Sequence, residues 1–401
     1  MQPLVLSHFT LASSLGAGVG ATLAALREQR SGLAPCAFET VDLATCVGEV
    51  PGLDGQPVRD DLADYDCRNN RLAQMALRQD GFESAVAAAR DRYGARRIGL
   101  FLGTSTSGVF ETERAYRRRD AQSGALPPDF RYATTQNTFS LADFTRRYLG
   151  LTGPAAVVSS ACSSSAKVFG SAARMIAAGL CDAAVVGGVD TLCLTTLYGF
   201  HSLELTSSTP CRPYDEARDG ISIGEAGGFV LLEKPRQQDR DGSGRDAILL
   251  LGVGDSCDAY HMSSPHPEGL GASLAMQAAL RAANLAPGAI DYINLHGTAT
   301  RSNDAAEDKA VFALFGGDTP CSSTKGATGH TLGAAGVTEA VISALAIRHG
   351  FLPGGLNTRK IDPALRSRYL LHNASGKVDR VLSNSFGFGG TNCCLVLGRA
   401  G

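Results

Sequence analysis

Residues 157–170 constrain this chain more than any other stretch. Val157 and Val158 end a β-branched run, Ser159, Ser160 and Ala161 are small, and Cys162 arrives at the turn. An Ala-rich segment then continues to Ala178 and Gly179. That order predicts a strand, a tight turn and a helix whose first turn carries Cys162. A helix N-terminus offers free N–H groups and the positive end of a dipole, so a thiol placed there is expected to ionise more easily. Small neighbours let such a helix be buried closely and leave room for a substrate beside the sulfur. The competing reading is a buried, inert cysteine, and only residues elsewhere in the chain decide between the two.

The rest of the chain repeats the alternation of strand and helix. A strand is predicted at 3–6, then a Gly/Ser turn, helices at 19–30 and 70–90, and a buried strand at 97–103. Residues 111–131 are polar and include Arg117, Arg118 and Arg119, read as a solvated face. Strands follow at 182–188 and 229–233. Residues 234–246 are the most polar, Pro/Gly-bearing segment, which places a boundary between an N-terminal half, 1–238, and a C-terminal half, 247–401. The second half predicts a strand at 247–254, a helix at 271–283, a strand at 292–295 and a helix after Asp304. A strand into Gly329 and His330, a helix to His349 and strands at 380–384 and 392–397 complete it. Such alternation with Gly-rich turns argues for α/β layers. Two halves of similar order suggest a duplicated fold, although no sequence repeat is visible.

Composition narrows the function. The 401 residues are 44% hydrophobic and 19% charged, the profile of a soluble enzyme-sized protein. A net charge of -2 supplies no global field for nucleic acid. The 11 cysteines contain no C-x-x-C and no paired metal-ligand spacing, which fits reduced thiols in the cytoplasm and no metal. The N-terminus lacks a signal-peptide pattern, and no apolar run reaches a membrane-spanning length.

Three further stretches can carry chemistry. Residues 294–300 deliver His296 into a Gly/Thr loop, residues 323–330 deliver His330, and the glycine-dense residues 384–392 can aim backbone N–H groups at a ligand. A lone histidine is more often structural. Two of them at predicted strand ends, where α/β folds place ligands, together with Cys162 make a site.

These stretches fall in a recognisable order: Ala161-Cys162-Ser163-Ser164, Arg212-Pro213-Tyr214-Asp215 with Gly224-Glu225, His296-Gly297-Thr298, Lys325 with Thr328-Gly329-His330, and Gly387-Phe388-Gly389-Gly390-Thr391-Asn392. The chain resembles the elongating β-ketoacyl-[acyl-carrier-protein] synthases of the thiolase-like superfamily over residues 90–398. His8-Phe9-Thr10 and the segment from Asp66 to Arg71 depart from the family pattern. The resemblance implies a layered α-β-α-β-α fold of two pseudo-duplicated halves and a decarboxylative Claisen condensation. Cys162 would take an acyl group from a carrier thioester, and His296 and His330 would stabilise the enolate of a malonyl unit. The backbone N–H groups of Cys162 and Phe388 would form the oxyanion hole, with Phe386, Gly387 and Gly389 around the substrate. Lys325 and Glu339 would pair behind the histidines, while Asp304 and Glu307 are read as structural. Thr298 and Thr300 would bind the phosphopantetheine arm, which arrives on the acyl carrier protein, so no cofactor of the enzyme's own is implied. Tyr132 and Gln136, in a segment that crosses the family's dimer interface, would line the acyl tunnel. Arg68 and Arg71 would dock the carrier, with Arg117 to Arg119 as the second possibility. His261 is read as a wall residue, and Cys393 and Cys394 as core. A homodimer is implied, or a heterodimer with a chain-length-factor-like subunit. A thiolase would need a C-terminal catalytic cysteine in its own Gly-rich motif, an initiating synthase an asparagine in place of His330, and a non-catalytic partner subunit would lack Cys162.

Overall fold

The computed structural model describes residues 1–236 and 247–400. The expected boundary between halves, residues 234–246, lies outside the described residues from 237 onward. Five strands of the first half are β1 (Leu4–Ser13), β2 (Ile98–Gly103), β3 (Ala155–Val158), β4 (Ala183–Asp190) and β5 (Ala226–Glu233). The second half supplies β6 (Ile248–Cys257), β7 (Tyr292–Asn294), β8 (Pro320–Ser322), β9 (Arg368–Tyr369), β10 (Arg380–Gly387) and β11 (Thr391–Arg399).

Their pairing reveals the duplication. The first half runs β3-β2-β4-β5-β1 and the second runs β8-β7-β10-β11-β6, with β9 added at the outer edge. Numbered within its own half, each set has the order 3-2-4-5-1. Orientations match as well: β2 is parallel to β3 and β4 as β7 is parallel to β8 and β10, the other pairs within each set are antiparallel, and the added β9 runs parallel to β8. The halves join where β1 meets β6 antiparallel, with Leu4 opposite Leu250.

Helices sandwich the strands. In the first half these are α1 (Val19–Arg27), α2 (Arg68–Leu77), α3 (Phe82–Tyr93), α4 (Ser140–Leu149) and α5 (Ser164–Ala177). The second half adds α6 (Leu270–Ala283), α7 (Arg301–Phe315) and α8 (Ala335–His349). Side chains alternate along a strand, so one strand feeds two cores. On β4, Ala184 and Val186 join the central core with α5 and α8, whereas Ala183 and Val185 join an outer core with α2, α3 and α4. On β11, Cys393 and Leu395 face the central core, and Cys394 and Val396 face the outer core with α6. The layers are therefore α-β-α-β-α. Strands covered on both faces read as unbroken apolar runs, and a helix in the middle layer is buried on every side, as α8 is from Ala335 to Ile347.

Three elements differ from expectation. Residues 70–90 form two helices, because Asp80 and Gly81 take positive φ of 56° and 69° and break the run. The Asp80 carboxylate then accepts the Val19 N–H that opens α1. No strand runs into His330; β8 stops at Ser322, one helical turn spans Lys325–Thr328, and His330 is tethered through its own N–H to the Ser222 carbonyl. Helix α7 starts before Asp304, because the Thr300 hydroxyl accepts the Asn303 N–H and caps it. Among the described residues, no helix is long and apolar enough to cross a membrane.

Candidate active site

Cys162 stands between β3 and α5, not in the helix's first turn: Ser163 is the N-cap and Ser164 the first helical residue. Ala161 takes φ of 50°, a left-handed conformation that costs a non-glycine residue about 1–2 kcal/mol and turns the next side chain out of the elements' line. The Ser164 hydroxyl locks this turn, donating to the Ala161 carbonyl at 2.6 Å and accepting the Ser160 N–H at 2.9 Å. The sulfur is buried, with Cys162 only 5% exposed. Burial pushes the thiol up to about 12, against the Lys325 charge and a hydrogen bond from the Phe388 N–H. The expected helix-assisted ionisation is thus overturned: Cys162 rests as a neutral thiol.

Its partner is close. His330 Nε2 lies 3.0 Å from Cys162 Sγ, and His330 Nδ1 has no hydrogen-bond partner among the described residues. His296 follows β7, and its ring meets His330 edge-on with centroids 5.3 Å apart. The Glu307 carboxylate on α7 holds the His296 loop, accepting the N–H of His296 at 2.8 Å and of Gly297 at 2.7 Å. Asp304 does the same for Ala299 and Tyr214. Lys325 Nζ sits 3.3 Å from His296 Nδ1 and donates to the His296 carbonyl and the Glu339 carboxylate. An ammonium only donates, so His296 Nδ1 is the acceptor and the neutral ring carries its proton on Nε2. Burial, reinforced by Lys325, holds both imidazoles well below the usual histidine range. Burial also pushes Glu339 up to about 7 despite Lys325.

These groups share one cleft. Cys162, His296, His330, Thr298, Thr300, Phe386, Gly387 and Phe388 all line it, while Lys325 and Glu339 lie behind. Gly389 adopts φ of 80°, which glycine tolerates, and its N–H is tied to the Met262 carbonyl, so it shapes the Phe388 turn from outside the cleft. The Sγ atom and one nitrogen of each imidazole lie within 4.8 Å, near enough to share a soft cation, but the Lys325 charge opposes one and no metal is assigned.

Several expected residues are elsewhere. Tyr132 is 57% exposed and Gln136 bonds Thr112 at 2.7 Å; neither lines the cleft of this chain. Arg68 is 2% exposed and saturated by Glu225, Asp54 and Glu49, so it offers no charge to a carrier. Arg71 is bound by both oxygens of Asp66. Arg119 is exposed, and Arg117 and Arg118 pair with Glu39 and Asp129. His261 is exposed; the wall beside it is made by Asp258, Ser263, Ser264 and Pro265. Cys393 and Cys394 are core, as expected. Sequence reasoning missed the apolar wall of Phe200, Leu205 and Ile221 and the buried Asp190. No motif marks the wall, since Phe200 lies in the last turn of a helix (Leu194–Ser202), Leu205 follows just beyond it and Ile221 comes from a later segment.

The duplicated α-β-α-β-α sandwich with a buried cysteine and two histidines at its centre defines a thiolase-like protein. Residues 69–238 match the family model "Beta-ketoacyl synthase, N-terminal domain" and residues 248–359 match "Beta-ketoacyl synthase, C-terminal domain". The chain is 32% identical over 418 residues to 3-oxoacyl-[acyl-carrier-protein] synthase 2 of Vibrio harveyi, covering 98% of this chain and 97% of that one. It is 42% identical over 262 residues to the mitochondrial 3-oxoacyl-[acyl-carrier-protein] synthase of Arabidopsis thaliana, a match spanning 62% of this chain and 57% of the relative. Among solved structures it is similar to a ketosynthase (ApeO) in complex with its chain length factor (ApeC) from Xenorhabdus doucetiae, at 39% identity and a TM-score of 0.89 over 100% of this chain and 98% of that one. It is also similar to the ishigamide ketosynthase/chain length factor, at 29% identity and a TM-score of 0.88 over 100% of both chains. This chain belongs to the β-ketoacyl synthase family.

Proposed function

We propose that this chain condenses an enzyme-bound acyl group with a malonyl unit on an acyl carrier protein. The observation that carries the reading is the convergence of Cys162 Sγ and the two imidazoles within 4.8 Å in one cleft. His330 Nε2 takes the thiol proton as Sγ attacks the acyl thioester, and the proton passes to the departing carrier thiol. The N–H groups of Phe388 and Cys162 hold the tetrahedral oxyanion. The malonyl thioester then loses CO2, and the electrons of the broken C–C bond form an enolate whose oxygen accepts from His296 Nε2–H, and from His330 once its ring carries the proton on Nε2. The α-carbon attacks the Cys162 thioester, forms the new C–C bond and expels the Cys162 thiolate. Thr298 and Thr300, 2.9 Å apart between their hydroxyls, would hold the phosphopantetheine arm that arrives on the carrier. The chemistry needs no metal and no dissociable cofactor. Eleven unpaired cysteines support a reducing, cytoplasmic setting.

A more specific form of this reading is the catalytic half of a heterodimer with a chain-length-factor-like subunit. The end-to-end similarity to a ketosynthase bound to its chain length factor favours it. Intact mass after incubation with a panel of acyl-carriers tests the common step. An acyl adduct is expected on Cys162 and none on Cys393 or Cys394, and Cys162→Ala should abolish transfer while keeping the fold. An adduct on a C-terminal cysteine would refute the reading in favour of a thiolase-type enzyme.

A further inference from the structure

Asp190 ends β4 and is fully buried. No step of the proposed reaction uses it. Its carboxylate accepts from neutral groups throughout. Oδ1 takes the Thr104 hydroxyl at 2.7 Å, the N–H of Ser105 at 2.8 Å and of Thr106 at 2.9 Å, and the Thr106 hydroxyl at 2.9 Å. Oδ2 takes the Gly333 N–H at 2.6 Å and shares the Ser105 N–H at 3.0 Å. An ionised carboxylate makes each of these bonds roughly twice as strong as its neutral counterpart, and a charge buried without a cation depends on all of them.

Three segments meet at this one side chain: the loop after β2, the end of β4, and the loop carrying Gly333, three residues beyond His330. The Ser105 hydroxyl extends the link, donating at 3.3 Å to the carbonyl of Ala161, the strained residue before Cys162. A side chain at 333 has no space, since its Cβ would lie 2.6 Å from Ser105 Oγ and 2.7 Å from Asp190 Oδ2. The nucleophile turn and the histidine loop therefore hang from the same carboxylate.

We propose that Asp190 is a positioning residue that keeps the Cys162 turn and the His330 loop in register, and so sets the 3.0 Å contact between Sγ and Nε2. The inference rests on Cys162 and His330 acting as the proposed pair. Besides the two imidazoles, the charges bearing on the thiol are those of Lys325, Asp190 and Glu339.

Asp190→Asn tests it selectively. With the amide oxygen retained at Oδ1 for its four donors, the amide nitrogen faces the Gly333 N–H, so the variant cuts the link on the His330 side. Alkylation of Cys162 by iodoacetamide, followed by peptide mass spectrometry, reads the pair without any carrier. The wild type should alkylate at a rate nearly independent of pH between pH 6.5 and 8.5. Asp190→Asn should acquire a rate that rises with pH, and its kcat for acyl transfer should fall roughly tenfold with KM unchanged, as for lost alignment. Ser105→Ala, which removes one hydroxyl and keeps the buried charge, should change both readouts in the same direction by a smaller factor. A merely structural Asp190 would lower Tm and leave the alkylation profile flat. A flat profile with wild-type kcat in Asp190→Asn, or in Ser105→Ala where the first variant fails to fold, overturns the proposal. A wild-type rate that itself climbs with pH would instead remove the Cys162–His330 pair on which it rests.

Discussion

Burial raises the Cys162 thiol to about 12 and lowers both imidazoles, and the two shifts act in one direction: they favour an uncharged pair. A histidine whose folded pKa is depressed stays neutral above that lowered value, so its capacity as a base survives below the usual 6.5. The acid limb of acyl transfer should accordingly lie below pH 6.5, measurable as initial acylation rate against pH. Without the base the thiol must ionise alone. In His330→Ala, alkylation of Cys162 should rise close to tenfold per pH unit up to pH 9, since the thiol titrates far above that range. A flat profile in this variant would exclude His330 as the base. Among the described residues the sulfur's imidazole partner is His330, and His296, held by Lys325, is read as an enolate donor. His296→Ala should therefore slow malonyl decarboxylation by on the order of 10²-fold or more while Cys162 still accepts an acyl group. Cys162 and both histidines were legible in the sequence because small or glycine-rich turns mark them. The ionisation state of Cys162 was not, because its burial is decided by segments far away in the sequence that close around the sulfur. Arg68 misled for a similar reason: a cation in a polar segment reads as surface until Glu225, from a distant turn, is seen to bury it.

The elements that aim these side chains are held by carboxylates on neighbouring helices. Glu307, in the second turn of α7, accepts four donors: the N–H groups of His296 and Gly297, and the amides of Asn384 and Asn303. Burial pushes it up to about 7 against those donors. Glu307→Gln keeps the shape but sets an amide nitrogen against two of the four, leaving buried donors unpaired at about 1–3 kcal/mol each. The variant should lower Tm. Because the strained loop carries His296 and not Cys162, decarboxylation should suffer more than acylation, and equal losses would mean that Glu307 supports the whole core. Element types were readable from the unbroken apolar runs of β2, β4 and β5, which only strands covered on both faces produce. Helix ends were less so. The break at Asp80 and Gly81 is an ordinary turn signal hidden inside an Ala-rich pattern, and the start of α7 is decided by a threonine cap that also belongs to the cleft.

At the scale of the molecule, the matching strand order of the two halves emerges from hydrogen bonding without any visible sequence repeat, because a layer order needs only apolar faces of the right period. The same topology leaves β3 with one unpaired edge. Its four residues, Ala155, Ala156, Val157 and Val158, carry no charge, proline or bulge, although isolated edge strands usually carry such guards against pairing. Ala156 at its centre is exposed. An uncharged edge of this kind is suited to continue the sheet into a second subunit, which fits the proposed homodimer or heterodimer. Ala156→Glu would place like charges opposite each other across a homodimer, or one charge against an apolar strand in a heterodimer, and either costs more than the strand gains. Light scattering after gel filtration should then report a mass near the 41.7 kDa of one chain instead of a dimer. Tm in the monomer should fall only slightly, since Ala156 lies outside the central core. An unchanged dimer mass in Ala156→Glu would place the subunit contact on another face of the molecule.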